Sequence, residues 1–445
     1  MTIRVLRIYH GGRDSRHRSR ERALTDAGVD VTLVVPTRWA GPGQEADLST
    51  EPFRVVELPA KRSGDVNRHS YIAEGAARQL LLETNPDVLD IHEEPFSAAA
   101  RQWLRAAPRE LPVVMYSAQN VDKRYPPPFW GYERAAHRRV SAFYPCSSQA
   151  ASVLRGKGFD GAIKVLPLGY DGAVFRPGVQ SIDSDEIVML FAGRLVAEKG
   201  VFDAVELLAR LNERRPARLL ICGDGPEKGA ARNVAVSRGV AERVAFLGWQ
   251  DGSGLASMYR GAHVALVPSR PTETWVEQFG RAIVEAQACG TVVAGYASGS
   301  IPEVAGTAGV IVPVGEIDQL ATALVQLTSD RDEFKSRRDL GQRQAADRTW
   351  EAVASQQLEL YRAVVGTRPH RPRLPRSPRA RRAAAHAEFG PTAPTSAGVR
   401  PFAVPIARHG GALANGVARA IDAVGEAVAL MPPGLTTLRD RTRAG

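Results

Sequence analysis

The sequence predicts an α/β protein of two doubly wound, Rossmann-like domains facing each other across a cleft. Three observations carry this. Short apolar runs of strand length alternate with stretches of helical periodicity along most of the chain, the pattern of parallel sheets covered on both faces. A polar break containing Gly and Pro, "YDGAVFRPGVQSIDSDE" over 170–186, interrupts the alternation, which then restarts. A chain of 445 residues is also too long for one ordinary domain and fits two domains plus an extension.

The first domain, 1–170, opens with a strand over 3–9, the loop His10-Gly11-Gly12, and a polar helix to about Ala27 that Gly28 ends. "VDVTLVVP" (29–36) is the second strand, completing a β–loop–α–β unit. Strands follow at 87–92, 111–117, 142–146 and 163–169, with helices over 96–107, 131–141 and 147–157 between them. Residues 171–186 form the linker. The second domain, 187–343, reads as strands at 187–193, 217–223, 243–249, 263–269, 291–295 and 308–313. Helices fall at 200–212, 227–238 and 255–261, with a further one starting near Phe279-Gly280. Residues 344–365 are a closing helix. From 366 to 445 the chain turns rich in Arg, Pro and Ala, a composition too poor in apolar surface to fold as a unit. Within this largely disordered tail, Leu413, Val417, Ile421, Val424 and Val428 recur at helical spacing, giving a short amphipathic helix near 412–430.

The net charge of +10 sits in the tail: residues 366–445 hold thirteen Arg and four acids, leaving the first 365 residues close to neutral. A basic protein by overall count is therefore not a basic folded body, and nucleic acid is not an expected partner. No run of eighteen apolar residues occurs, and the N-terminal apolar stretch is too short for a secretory signal. Cys146, Cys222 and Cys289 are scattered, odd in number and without CxxC spacing, which suits a reducing compartment and argues against a structural zinc site; no metal-binding residues are expected. These readings place the protein in the cytoplasm.

Three segments carry candidate chemistry. In "FAGRLVAEKG" (191–200), Arg194 and Lys199 project from the turn after a strand, beside a helix start. Two cations there suit a diphosphate; the alternative is a solvated turn. In "ICGDGPE" (221–227), Gly223 and Gly225 permit a tight turn and close approach of a ligand, or are simply good turn residues. "ETWVEQFGRAIVEAQACG" (273–290) places Glu277 before a helix and Glu285 eight residues on, at the edge of an apolar face made by Phe279, Ala282, Ile283, Ala286 and Cys289. Two acids so spaced suit a ligand with hydroxyls at both ends and phosphates between. Acids that merely complement the helix dipole would explain Glu277 but not Glu285. No dinucleotide fingerprint is present in either domain.

These segments, with "AGVIVPVGE" (308–316) and "GYASGSIPEVAG" (295–306), resemble the donor domain of the GT-B glycosyltransferases, specifically retaining family 4 with its Glu-x7-Glu motif. "HGGRDSRHRSRERALTDAGVDVTLVVP" and "LPLGYDGAVFRPG" are similar to that family's first half and linker, so the resemblance spans about 3–365. It implies that Arg194 and Lys199 hold the donor diphosphate. The backbone of Gly193, Phe279 and Gly280 would support phosphate and sugar. Glu277 would contact hydroxyls of the transferred sugar, Glu285 those of the ribose, and Gly11 and Gly12 would close over the phosphates. It further implies retention of configuration without a required metal, and no cofactor beyond the nucleoside-diphosphate sugar as co-substrate. Where many members have a histidine after the strand at 113–117, this chain has Ser117-Ala118-Gln119-Asn120. A subset with Gln-Asn, "KRYPPPF" and "IHEEPFS" would place Glu94, Gln119, Asn120, Lys123 and Arg124 on the acceptor side. His92 would join them or else be a satisfied histidine at a strand end, and "YPPPF" would be a substrate wall or a stiff surface loop.

The expected function is hexosyl transfer to a hydroxyl of a glycan, glycolipid or small metabolite. The alternatives are a sugar-nucleotide isomerase of the same architecture, or a non-catalytic scaffold with a basic interaction tail. The tail's arginines suit peripheral contact with an anionic inner membrane face, the alternative being a solvated extension.

Overall fold

The computed structural model describes residues 2–39, 48, 50–72, 74–178, 186–366 and 378–389. The expected helix near 412–430 and the middle of the expected linker lie outside them. In the first half the strands are β1 (Arg4–Ile8), β2 (Asp30–Pro36), β3 (Arg54–Leu58), a short antiparallel pair β4 (Ala60–Lys61) and β5 (Ser70–Tyr71), then β6 (Val88–Ile91), β7 (Val113–Ser117), β8 (Ala142–Pro145) and β9 (Ala162–Ile163). In the second they are β10 (Ile187–Ala192), β11 (Ala217–Cys222), β12 (Val244–Gly248), β13 (Val264–Val267), β14 (Val292–Tyr296) and β15 (Val310–Val312). One parallel sheet runs β3-β2-β1-β6-β7-β8-β9 and the other β12-β11-β10-β13-β14-β15. The central strands β6, β7 and β8 are buried along their whole length, which is why they read as unbroken apolar runs rather than alternating ones.

Both sheets reverse their strand order once, between β1 and β6 and between β10 and β13. Loops at such a reversal diverge and leave a crevice at the carboxyl ends of the strands. The loops that leave these four strands carry His10–Gly12, His92–Glu94, Gly193–Lys199 and Ser269–Glu277. Topology therefore accounts for why residues scattered over more than 260 positions of sequence gather at one cleft.

The two halves are tied by the final helix, Trp350–Val364, which packs on helix Ser19–Asp26 of the first half. Asp90, fully buried on β6, anchors it. Its carboxylate accepts from Arg7 Nη1 (2.5 Å), Tyr144 Oη (2.5 Å), Gln357 Nε2 (2.8 Å) and Tyr361 Oη (2.5 Å). Arg7 is also paired with buried Glu21. Backbone hydrogen bonds between Tyr170 and the 348–350 turn, 3.1 Å each way, fasten the chain where it leaves the first sheet.

Two expectations need correction. The strand at 163–169 pairs as a named strand only over Ala162–Ile163; Leu166 N–H still reaches Pro145 O (2.9 Å), and Pro167, having no N–H, stops the ladder. The single closing helix from residue 344 is two helices, Arg331–Ala346 and Trp350–Val364. Thr349 breaks it, adopting extended backbone and accepting the Ala352 N–H as an N-cap. Several elements have no counterpart in the sequence reading: β3, the β4–β5 pair, helix Glu74–Thr84 and helix Ile317–Ser329. Within the Arg-rich tail, helix Pro378–Phe389 lies on helix Ser148–Gly156. Glu388 there accepts two hydrogen bonds from Arg155 at 2.6 and 2.7 Å, and Ala385 is buried.

Candidate active site

The second half supplies the floor of the cleft. A 3-10 turn, Ala197–Lys199, follows β10, and Gly200 turns the chain into helix Val201–Asn212. Gly200 has φ 77°, and a Cβ there would meet Pro268 O at 2.0 Å, so only glycine brings this turn against the end of β13. That approach sets Lys199 Nζ 2.8 Å from Glu277 Oε2 and 5.0 Å from the centroid of the Trp275 ring. Ser269 Oγ donates to the same Oε2 at 3.0 Å. One oxygen of Glu277 is thus held by two donors, while Oε1 has no partner among the described residues. Arg194, half-buried, also makes no side-chain hydrogen bond or ion pair among them.

Backbone contacts fix Glu277 as firmly as its side chain does. Its carbonyl accepts from Ser300 N (2.9 Å) and from Asn120 Nδ2 (2.8 Å), the latter across the cleft. A Cβ on Gly299 would fall 2.0 Å from that carbonyl, so Gly299, at φ 55°, is required for the contact. Gln278 Nε2 donates to Ala118 O at 3.1 Å, a second bridge between the halves. Helix Arg281–Ala288 then starts behind Gly280, which is in left-handed backbone (φ 82°) and caps it with no side-chain hydrogen bond.

Glu285 lies on that helix, 7% exposed, within 3.2 Å of Arg281 Nη2. Burial raises its carboxyl above the ordinary value, partly offset by Arg281. Ala282 aside, the expected apolar face is buried, but so are Val284, Glu285, Gln287 and Ala288, so from Ile283 onward the helix has no solvated side. Phe279 packs its ring into the core, leaving only its backbone for a ligand. Gly223 and Gly225 serve the neighbouring loop: Cβ atoms there would meet Gly193 O at 1.9 Å and Leu195 O at 2.4 Å. Gly11 and Gly12 lie in the 3-10 turn His10–Arg13, where Gly11 backs onto the Tyr9 ring and Gly12 O accepts from Arg18 Nε at 2.6 Å.

The first half forms the opposite wall. One pocket is lined by Glu94, Phe96, Gln119, Asn120, Lys123 and Tyr125, and from across the cleft by Thr274–Val276 and Gln278. Four of the six residues expected on the acceptor side are therefore brought together there. The other two lie elsewhere, His92 in the satisfied position that was the alternative for it. His92 turns inward, 6% exposed, its Nδ1 3.1 Å from Tyr144 Oη and its ring against Tyr9 and Tyr116. Burial, with Arg7 and Arg20 nearby, holds its imidazole well below the usual range and so neutral. Arg124 is exposed and does not line the pocket. Of "YPPPF", Tyr125 is the wall: it stacks on Phe96 at 4.0 Å and accepts from Gln119 Nε2 at 2.5 Å, while the three prolines face solvent.

Glu94 accepts from Ser117 Oγ (3.1 Å) and Ala118 N (2.9 Å), yet burial pushes its carboxyl up to about 7. Burial likewise lowers the Lys123 ammonium. Because the folded protein keeps a proton on Glu94 that the unfolded chain releases near pH 4.3, the stability this proton contributes is full below about 4.3 and is lost as pH rises through about 7. Glu94→Gln, which mimics the protonated acid, is expected to remove that component. Urea midpoints at about pH 5 and pH 8 test this; an unchanged pH slope in the variant would refute the assignment.

With this geometry in place, comparison with known proteins is decisive for the two halves. Residues 21–173 match the model for Glycosyltransferase Family 4, and residues 176–347 match that for Glycosyl transferases group 1. Each half is thus similar to a glycosyltransferase domain. The D-inositol 3-phosphate glycosyltransferase of Mycobacteroides abscessus is 35% identical over 223 residues, covering 46% of this chain and 48% of the relative. That of Rhodococcus opacus is 33% identical over 217 residues, covering 45% and 48%. The chain thus spans about half the length of the curated relatives it matches. Among solved structures, sucrose-phosphate synthase from Thermosynechococcus elongatus superposes with a TM-score of 0.63 at 20% identity, over 81% of this chain and 98% of that one. Anabaena HepE in complex with UDP gives 0.64 at 18%, over 82% and 100%. These likenesses show the GT-B fold.

Sequence reasoning missed several residues that shape the glycosyltransferase cleft. Ser269, Trp275 and Gly299 were inside quoted segments, but nothing in their spacing marks them as partners of Lys199 and Glu277. Arg270 was missed too: it grips Asp203 at 2.7 and 2.5 Å, bracing the loop after β13 against the helix after Lys199.

Proposed function

We propose that the protein is a retaining glycosyltransferase that moves a hexosyl unit from a nucleoside-diphosphate sugar to a hydroxyl acceptor, with no metal in the donor site. The observation that carries this reading is the Lys199–Glu277 pair set between the starts of helices Val201–Asn212 and Arg281–Ala288, with Arg194 on the same loop as Lys199. In this reading Arg194, Lys199 and the helix N-termini take the negative charge that develops on the diphosphate as its bond to the sugar breaks. Glu277 Oε1 accepts from a sugar hydroxyl, and Glu285 reaches the ribose. Gly193, Gly223, Gly225, Phe279 and Gly280 shape the backbone under the donor. Glu94, Gln119, Asn120 and Lys123 face the acceptor, on the pocket's aromatic wall.

The names of the relatives support the class: D-inositol 3-phosphate glycosyltransferases by sequence, and Anabaena HepE structures that contain UDP or UDP-glucose. The same reading places the protein in the cytoplasm, and at the inner membrane face where the acceptor is a glycolipid. Titration of UDP and GDP against the purified protein tests the donor site. Loss of one charge-assisted contact of about 1.5–3 kcal/mol predicts roughly 10- to 100-fold weaker nucleotide binding in Lys199→Ala. Equal affinity in wild type and variant would remove Lys199 from the site.

A further inference from the structure

Glu93 and Glu94 are neighbours that point to different places. Glu94 lines the pocket; Glu93, with its side chain 1% exposed, meets two histidines instead. Its Oε1 accepts from the His10 backbone N–H at 2.8 Å, and its Oε2 lies 2.6 Å from His10 Nδ1. His69, fully buried just before β5, aims Nε2 at Glu93 Oε1 from 3.7 Å, beyond hydrogen-bond length, and that nitrogen has no hydrogen-bond partner among the described residues. The opposite nitrogen, Nδ1, is 3.2 Å from Asp65 O. A carbonyl can only accept, so Nδ1 carries a hydrogen, and the other nitrogen, Nε2, is the one that faces the Glu93 carboxylate. Two more buried polar atoms of the same segment, Asn67 Oδ1 and Tyr71 Oη, also lack hydrogen-bond partners among the described residues. The Trp39 ring covers both imidazoles, at centroid distances of 4.4 Å from His10 and 4.9 Å from His69.

We propose that His10, His69 and Glu93 form a binding site for one divalent transition metal of the zinc class. One donor atom from each of the three lies within 4.8 Å of the others. Zinc bonds of about 2.0–2.1 Å in a tetrahedron put ligand atoms roughly 3.3 Å apart. Glu93 reaches both histidines, His10 Nδ1 at 2.6 Å from Oε2 and His69 Nε2 at 3.7 Å from Oε1, so a small shift of its carboxylate would bring the three donors to that spacing. Two imidazoles and one carboxylate suit zinc and its neighbours rather than magnesium or calcium, which take oxygen ligands. The Asp65 carbonyl is the outer partner that metal-bound histidines normally have, fixing both tautomer and ring orientation.

The site differs in place and role from the donor cleft, where no metal is invoked. It joins the β4–β5 segment to the residue just before Gly11 and Gly12, so the metal would set the position of that loop. It involves no step of sugar transfer and stands whether or not the protein transfers sugar.

The test uses the full chain, expressed with zinc in the medium and dialysed against metal-free buffer, with metal content read by mass spectrometry. About one zinc per chain is expected, and stripping with a chelator should lower the melting temperature until zinc is restored. Cobalt added to stripped protein should give visible d–d absorption. His69→Ala and His10→Asn should lose the metal and the absorption, while His386→Ala, an exposed histidine on helix Pro378–Phe389, should keep both. Less than about 0.1 zinc per chain with no cobalt absorption in the wild type would overturn the proposal. So would either variant binding as much metal as the wild type. If His69→Ala fails to fold, the wild-type content together with His10→Asn decides the matter.

Discussion

Glu277→Gln is expected to lower transfer by about 100-fold or more while leaving the protein folded. The substitution keeps the size of the side chain and the Ser269 contact but removes the charge that holds Lys199 at 2.8 Å. It also weakens the acceptor that Oε1 offers to a sugar hydroxyl. Both losses act on the bound donor, so turnover should fall further than donor affinity does. The backbone of residue 277 stays anchored through Asn120 and Ser300, which is why the fold should be spared. The ion pair is partly exposed, with side chains 25% and 12% accessible, and its removal should cost less than about 2 kcal/mol. Steady-state turnover alongside a thermal melt separates the two effects. A variant with wild-type turnover would show that Glu277 does not touch the reacting sugar.

Asp90→Ala is expected to have the opposite profile, with large destabilisation and no direct effect on chemistry. The carboxylate is fully buried and accepts four hydrogen bonds from Arg7, Tyr144, Gln357 and Tyr361. Removing it strands a buried cation, with only Glu21 to pair it, and two buried phenols. Breaking a buried charge network in this way costs about 3–5 kcal/mol. Because two of the four donors belong to helix Trp350–Val364, that helix should lose amide-exchange protection before the first sheet does. A denaturation midpoint within about 1 kcal/mol of wild type would mean that the network is not what holds the last helix to the first domain.

How much of this was legible beforehand depends on what each residue does. The strands of both sheets were readable because burial on two faces leaves unbroken apolar runs such as "VVMYS" and "IVMLFA". The segment between β2 and β6 was not: β3 lies at a sheet edge with two of its five residues exposed and none fully buried, and the β4–β5 pair is two residues a side. Helix Pro378–Phe389 was hidden because its composition is that of the surrounding Arg-rich stretch, and its docking rests on Arg155 and a few contacts that lie over 200 positions away in sequence. Within the site, Lys199, Glu277 and Asn120 could be singled out as residues. The contacts among them could not, because they depend on glycines at 200 and 299 whose neighbours are distant in sequence. His92 was open between two readings because it follows the end of β6 directly, and the structure turns it inward against Tyr144. Glu93 and Glu94 after it point apart, a division that the "HEEPFS" run alone does not disclose.

Release of nucleotide from a panel of nucleoside-diphosphate sugars tests the central claim most directly. The cleft predicts that the wild-type protein releases the diphosphate from at least one of them, faster when a hydroxyl acceptor is present, and that Glu277→Gln nearly abolishes the release. Binding and release of no nucleotide-sugar, or equal release by wild type and variant, would contradict it.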